Sequence, residues 1–258
     1  MEPKKTLDNL LGKNIFFLYP SAIIQNELIA ELAQQEFEVY IVKDHTNLRR
    51  VLQKRPASLV FANLDEGMSE KDWDVYIRRL IGNVDEPEAF VGVLSANASE
   101  ALMRKYINVI KVQCGFIPIL SDIHKSTKQI FDILKAQDAK GRRKYIRATI
   151  EHETNATVNM PLNNSFINGA IRDISVVGLS CAFTEDPQIE KNSLVQNVQI
   201  RLQTTLLKVE AIVFGSRMEG MSKVYVLLFT QKIDPDARIR IRKYIQSNLQ
   251  SKMDLELK

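Results

Sequence analysis

From Asn14 to Ala136, short apolar runs alternate with stretches whose apolar residues recur every three or four positions. The runs are Ile15–Tyr19, Phe37–Val42, Ser58–Leu64, Phe90–Leu94 and Gly115–Leu120. Runs of about five apolar residues suit strands buried on both faces. Between them, Leu28, Ile29 and Leu32 fall on one helix face, and Leu48, Val51 and Leu52 on another. Trp73, Tyr76, Ile77 and Leu80 mark a third, Leu102, Tyr106 and Ile110 a fourth, and Ile130, Phe131 and Leu134 a fifth. Five strand–helix repeats predict a doubly wound parallel sheet.

Around Gln137–Gly141 the helical period stops, charge density rises, and Gly141 is placed to break the preceding helix. The pattern then turns to strands: Ala156–Met160, Gly169–Ile174, Leu179–Phe183, Val195–Leu202, Leu206–Val213 and Val224–Phe229. Turn signals separate them at Asn163-Asn164-Ser165, Val177-Gly178, Thr184–Pro187 and Gly215–Gly220. Six strands in under about a hundred residues, with no long helix between them, predict a small β-barrel. A last helix follows, with Asp234 as N-cap, Pro235 in its first turn, and Ile241, Tyr244, Ile245 and Leu249 as its apolar face. The expected organisation is therefore an α/β domain over residues 1–137 and an all-β domain with a final helix over residues 138–258.

At 258 residues, 45% hydrophobic and 26% charged, the chain is an ordinary globular one and long enough for two domains. Cys114 and Cys181 each sit in an apolar stretch, as buried reduced thiols do. His45, His124 and His152 are too far apart in sequence to suggest a metal site. No segment reaches the ~18 apolar residues of a membrane-crossing helix. The most apolar, Ile15–Ile24, is interrupted by Tyr19, Pro20 and Ser21, and the first ten residues have no apolar core like that of a signal peptide. A cytoplasmic protein is expected. The formal net charge is +4, but residues 1–137 carry a net −1 and residues 138–258 a net +5. Lys140, Arg142, Arg143, Lys144 and Arg147 lie within eight positions, so the second half invites an anionic partner.

The first half resembles, in length and rhythm, the receiver domain of bacterial response regulators. That resemblance implies acidic residues after the first strand for Mg²⁺, a phosphoacceptor aspartate ending the third, a Ser or Thr after the fourth and a Lys after the fifth. Here the first strand ends in Tyr19-Pro20-Ser21, the third places Asn63 at the nucleophile's position, and the fifth runs through Pro118 without a Lys. Ser95 alone matches. Without carboxylates Mg²⁺ has no hard oxygen anchor, and an amide is a poor phosphoryl acceptor. Asp65, two positions beyond Asn63, reads as a solvated loop residue rather than a substitute phosphoacceptor. The expectation is a pseudo-receiver that keeps the fold without the phosphotransfer chemistry.

In the second half, Arg143 and Arg147 form an RxxxR, and Asp173, Ser175 and Gly178 form a DxSxxG. An RxxxR arises by chance in about every second chain of this length, and Arg238–Arg242 is another; a DxSxxG arises in very roughly one in ten or twenty. Together, in this order before and within a strand-rich basic segment, they resemble the signature of the PilZ domain, over roughly residues 138–258. The resemblance implies a bacterial receptor for cyclic di-GMP, a second messenger, acting in motility, surface behaviour or virulence. It implies ligand contacts from Arg142, Arg143, Arg147, Asp173, Ser175 and Gly178, with a basic residue at Arg142 favouring a stacked pair of ligands over one. The chemistry suits such a ligand. A guanidinium makes bidentate contacts to phosphate or to the O6 and N7 of guanine and stacks on a base. Asp173 and Ser175, two apart on a strand, point to one face, where a carboxylate accepts from the guanine N1–H and N2–H₂ edge. Gly178 suits a turn with positive φ or the close approach of a ligand.

No paired catalytic carboxylates, nucleophile–base pair, metal cluster or glycine-rich phosphate loop occurs, so no enzyme and no cofactor is expected. The expected partners are cyclic di-GMP and a protein whose contact the ligand alters. The alternative is a nucleic-acid-binding protein using the basic linker and the Arg-rich last helix, whose affinity would fall steeply with salt.

Overall fold

The computed structural model of the chain describes residues 12–82, 89–119, 122–141, 143–150, 155–162 and 165–258. Leu120, Arg142, His152, Asn163 and Asn164, named above, lie outside the described residues. The chain forms two compact units. One comprises the residues up to Lys144 together with Gln250–Lys258; the other is Tyr145–Leu249.

In the first unit, strands β1 (Ile15–Leu18), β2 (Val39–Val42), β3 (Leu59–Asn63), β4 (Phe90–Ser95) and β5 (Phe116–Pro118) form one parallel sheet in the order β2-β1-β3-β4-β5. This is a doubly wound order whose chain reversal falls between β1 and β3. β1 and β3 are buried at every residue, which is why their sequences read as unbroken apolar runs. The helical segments are a π-wound turn Ile24–Ile29 leading into α1 (Ala30–Gln34), then α2 (Leu48–Gln53) and α3 (Glu70–Ile81). They continue with α4 (Glu100–Arg104), which runs into a second π-wound turn, Lys105–Ile110, and α5 (Ile123–Ala136). The predicted faces are the buried ones: Leu28, Ile29 and Leu32; Leu48, Val51 and Leu52; Trp73, Ile77 and Leu80; Ile130 and Leu134. Ser69 caps α3 by accepting from the Asp72 amide at 3.2 Å, and Asp122 caps α5 by accepting from the His124 amide at 3.2 Å. α5 stops at Ala136, before Gly141, with Asp138 in the left-handed region (φ 48°) and the Ala139 amide closing on Leu134 O.

The second unit holds β6 (Ala148–Thr149), β7 (Ala156–Leu162), β8 (Ser165–Ser175), β9 (Gly178–Phe183), β10 (Leu194–Leu202), β11 (Thr205–Glu219) and β12 (Ser222–Phe229). The antiparallel order β8-β7-β10-β11-β12-β9 closes through a β8–β9 pairing into a six-stranded barrel, and β6 adds to β8 from outside that circuit. Three features depart from the pattern. β8 starts at Ser165, four residues before the expected Gly169. β6 is too short for periodicity to reveal. β11 does not end before Gly215 but runs through it to Glu219: Phe214 is the extra residue of a bulge between Val213 and Gly215, Gly215 pairs with Val226, and the turn falls at Gly220 (φ 59°). The strands alternate buried residues with half-buried or exposed ones, as in β7 and β11, and their inward residues form one core that includes Val158, Ile200, Val209 and Leu227.

α6 (Pro235–Leu257) is capped by Asp234, whose Oδ1 accepts from the Asp236 amide at 2.9 Å. Ile241, Tyr244 and Ile245 are buried in the barrel core, with Leu249 packed against it. Residues 235–249 of this helix thus belong to the barrel unit, and its last turns belong to the first unit.

Candidate ligand-binding site

Two groups of polar residues stand at strand ends: one where β1, β3 and β4 finish, the other where β6, β8 and β9 meet. In the first unit, the chain leaves β1 through Tyr19, which takes a left-handed φ of 48°. Its hydroxyl shares a hydrogen bond of 2.7 Å with His45 Nδ1, and its ring meets Trp73 edge-on at 5.9 Å. His45 stacks edge-on with Tyr76 at 4.8 Å. A Cβ at Gly67 would come within 2.5 Å of the Tyr19 ring, so the aromatic occupies that corner. Asn63 is buried; it donates to Tyr19 O at 2.9 Å and accepts from the Asp65 amide at 3.4 Å. The Asp65 carboxylate accepts from the Ser95 hydroxyl and from the Ala96 amide, each at 2.6 Å. The polar groups at this end of the sheet therefore hold its loops together. Among the described residues, no group of three or more His, Cys, Asp or Glu could hold a metal ion.

The second group is built by a bulge. β8 pairs with β9 as Ile171↔Cys181 and then Asp173↔Ser180, so Arg172 is an extra residue. The bulge resets the alternation: Ile171 and Ile174 both enter the core, and Asp173 is left partly exposed. β6 pairs with the same stretch, Ala148↔Ile174 and Thr149↔Asp173, and the Ile150 amide donates to Arg172 O at 2.7 Å. That register brings Arg147 to the motif. Its Nη1 lies 3.6 Å from Asp173 Oδ1, with side chains 52% and 24% exposed. Asp173 Oδ2 also accepts a short hydrogen bond from the Ser180 hydroxyl. Just before Arg147, Tyr145 and Ile146 pack against the barrel core and anchor the segment. Arg143 is exposed, and it lies beyond the point, between Lys144 and Tyr145, where the compact units divide.

The other two motif residues serve the turn between β8 and β9. Ser175 is buried; its hydroxyl donates to Gly178 O at 3.1 Å and accepts from the Val177 amide at 3.4 Å. Gly178 has no positive φ. A Cβ there would lie 2.4 Å from Leu227 O, so the missing side chain admits the backbone of β12. Cys181, on β9, is buried and free; burial, with a smaller contribution from the Asp173 charge, pushes its thiol up to about 12, so it is inert. Cys114 is likewise buried and free.

The Arg147–Asp173 pair sets a guanidinium beside a carboxylate at a separation too long for a good hydrogen bond. An exposed pair of this kind contributes little on its own, so a ligand can replace it at small cost. The corner offers N–H donors in a planar fork next to a carboxylate acceptor, the complement of a molecule that carries both anionic oxygens and N–H donors. Ser180 was not a residue that the motif singled out; its role follows from facing Asp173 across the β8–β9 ladder, which only the register reveals.

Residues 141–247 match the family model for the PilZ domain. A comparison with curated proteins finds no match. Among solved structures, the chain is similar to the PilZ domain of YcgR from Escherichia coli with c-di-GMP, at 13% identity over 44% of this chain and 95% of that one, with a TM-score of 0.38. It is similar to the MrkH–c-di-GMP complex of K. pneumonia at 18% identity, over 45% and 57% of the two chains, with a TM-score of 0.39. It is also similar to the Bacillus subtilis inhibitor of motility MotI/DgrA at 15% identity, over 44% and 52%, with a TM-score of 0.37. The chain thus spans little more than half the length of the last two. No helix among the described residues is long and apolar enough to cross a membrane.

Proposed function

Residues 141–247 are a PilZ domain, and on that premise we propose that the chain is a receptor for cyclic di-GMP rather than an enzyme. The observation that carries this reading is the Arg147–Asp173 pair, one residue from each motif, held together at 3.6 Å and open to solvent. Arg147 and Arg143 supply guanidinium forks to the phosphates or to the O6 and N7 of guanine. Asp173 accepts from the guanine N1–H and N2–H₂ edge. Ser180 holds the Asp173 carboxylate in place, while Ser175 and Gly178 shape the turn on which it stands. Arg142 adds a third guanidinium next to Arg143 and favours a stacked pair of ligands.

Ligand binding orders the basic segment that contains the motif and so alters the arrangement of the domains, or a contact with a protein partner, in bacterial signalling. The first unit acts in this scheme as a pseudo-receiver, a protein-binding module rather than a phosphoacceptor. The protein works in the cytoplasm, where the second messenger is present. The test is calorimetric titration of the full chain with cyclic di-GMP, with hydrogen exchange across residues 137–147. Binding lost in Arg147→Ala, with slower exchange in the parent on ligand addition, supports the reading. Equal affinity in parent and variant ends it. Binding to single- or double-stranded DNA that tracks salt and ignores Asp173 would favour the nucleic-acid alternative instead.

A further inference from the structure

The last turns of α6 are built into the first unit by contacts that the barrel does not use. β2 is an edge strand of the parallel sheet. On its inner side, Glu38 O and Val42 O accept from the Ile15 and Tyr19 amides of the β1 segment. Alternation then turns both main-chain groups of Ile41 outward. Gln250 takes both: the Ile41 amide donates to its Oε1, and its Nε2 donates to Ile41 O, each at 2.8 Å. One side-chain amide thus stands where the next strand would be. Further along, Asn47 Nδ2 donates to Leu257 O and Arg50 Nη2 donates to Glu256 O, each at 2.9 Å. α2 and the residue that precedes it therefore supply partners for carbonyls that a helix end leaves open. Arg55 meets the Glu256 carboxylate with both nitrogens, at 2.7 and 2.6 Å. This hydrogen-bonded partner holds the Glu256 carboxyl below its ordinary range and the Arg55 guanidinium above its own. Within Gln250–Lys258 only Met253 is a buried apolar residue, and Leu255 is 70% exposed.

A segment held by one buried apolar side chain and a set of side-chain hydrogen bonds has little apolar area to secure it. It covers an edge that would otherwise present unpaired main-chain groups to any passing strand. We propose that Gln250–Leu257 is a releasable strap: docked, it closes the open edge of β2; released, it leaves the Ile41 main chain free for strand addition, while the sheet behind it stays folded. This is independent of the ligand reading, since every group in it belongs to the first unit.

Single-amide hydrogen exchange of the full chain tests it. In Gln250→Glu combined with Glu256→Gln, the new carboxylate cannot donate to Ile41 O, and the charge-assisted pair with Arg55 is lost. The Ile41 amide and those of 250–257 should then exchange at least about tenfold faster, with the amides of β1 and of Ile241–Leu249 unchanged. Leu255→Ala, at an exposed position of the same segment, should change nothing. An Ile41 amide that exchanges at the parent rate in the double variant overturns the proposal. So does one that accelerates only together with the amides of β1, since the edge would then have no separate opening. If the double variant does not fold, the parent decides. Raising salt from about 0.05 to about 1 M shortens the screening length to roughly 3 Å, and should speed Ile41 relative to β1. An unchanged ratio overturns the strap.

Discussion

The carboxyl ends of β1, β3 and β4 and the meeting point of β6, β8 and β9 both gather polar side chains at strand ends, but they are closed in opposite ways. At the first, Tyr19, His45, Trp73 and Tyr76 form an aromatic cluster, and Asn63, Asp65 and Ser95 bond to one another or to the main chain. At the second, Arg147 Nη1 lies 3.6 Å from Asp173 Oδ1, on side chains 52% and 24% exposed, and the Ser180 hydroxyl holds the other carboxylate oxygen. Doubly wound sheets bind ligands outside the strand ends at the chain reversal, so position alone would favour the first group. Chemistry favours the second. A binding site is a place where polar groups are oriented by the fold and not yet consumed by it.

Trp73 gives the largest test of that contrast. It is fully buried, and its indole N–H donates to Glu66 O at 3.1 Å. Trp73→Ala should remove about 3–5 kcal/mol from the stability of the first unit, read by denaturant titration with hydrogen exchange in β1 and β3. Cyclic di-GMP binding should be unaffected. Loss of binding by a variant whose barrel remains folded would show that the aromatic cluster takes part in the site.

Next is the guanidinium pair. Arg143→Ala and Arg147→Ala should each weaken cyclic di-GMP binding by about 1.5–3 kcal/mol, more than tenfold, since each removes charge-assisted donors. The barrel should melt as before, because both side chains are exposed. Arg238→Ala and Arg242→Ala, in the second RxxxR, should leave calorimetric affinity for this ligand unchanged.

Asn63 breaks the comparison from the other side. Asn63→Asp loses the donor to Tyr19 O and sets a carboxylate against a carbonyl at about the same distance. Stability of the first unit should fall by about 1–3 kcal/mol. No acyl phosphate should form with small phosphodonors and Mg²⁺, because Tyr19 and Pro20 stand where a receiver has the acidic residues that anchor Mg²⁺. An acid-labile mass increase at residue 63 or at Asp65 would show that this end of the sheet accepts a phosphoryl group.

The apolar faces of both units were legible because burial imposes a period: unbroken runs in β1 and β3, alternation in β7, three-and-four spacing in α3 and α6. The order of the two motifs, Arg147 before the strands and Asp173 on one of them, was readable in the sequence, but their contact was not: it follows from the β6–β8 register. What escaped depends on register and on distant partners. The bulge at Arg172 shifts the β8–β9 register and sets Asp173 opposite Ser180, while the Ser175 hydroxyl is taken up by its own turn. Gly178 reads as a turn glycine, but a β12 carbonyl nearly fifty positions away requires it. Gln250, Glu256 and Met253 read as the end of a barrel helix, and only the fold shows that Ile41 and Arg55, some two hundred positions earlier, hold two of them.

The smallest effect is the most discriminating, because it turns on a sign. Asp173→Asn keeps the shape of the side chain, keeps one oxygen acceptor and removes a negative charge. It also relieves Arg147 of its ion-pair partner, and the Ser180 hydroxyl can still donate to the remaining oxygen. If the corner attracts cyclic di-GMP only as an anion, every one of these changes helps, and calorimetry should show tighter binding, increasingly so at low salt. If Asp173 accepts from the guanine N1–H and N2–H₂ edge, the amide offers one acceptor where the carboxylate offered two and turns a donor toward donors. Binding should then weaken by about 1 kcal/mol, roughly fivefold, despite the more favourable net charge. The expected outcome is the weaker one. Tighter binding would leave Arg147 as a phosphate contact and remove Asp173 from base recognition.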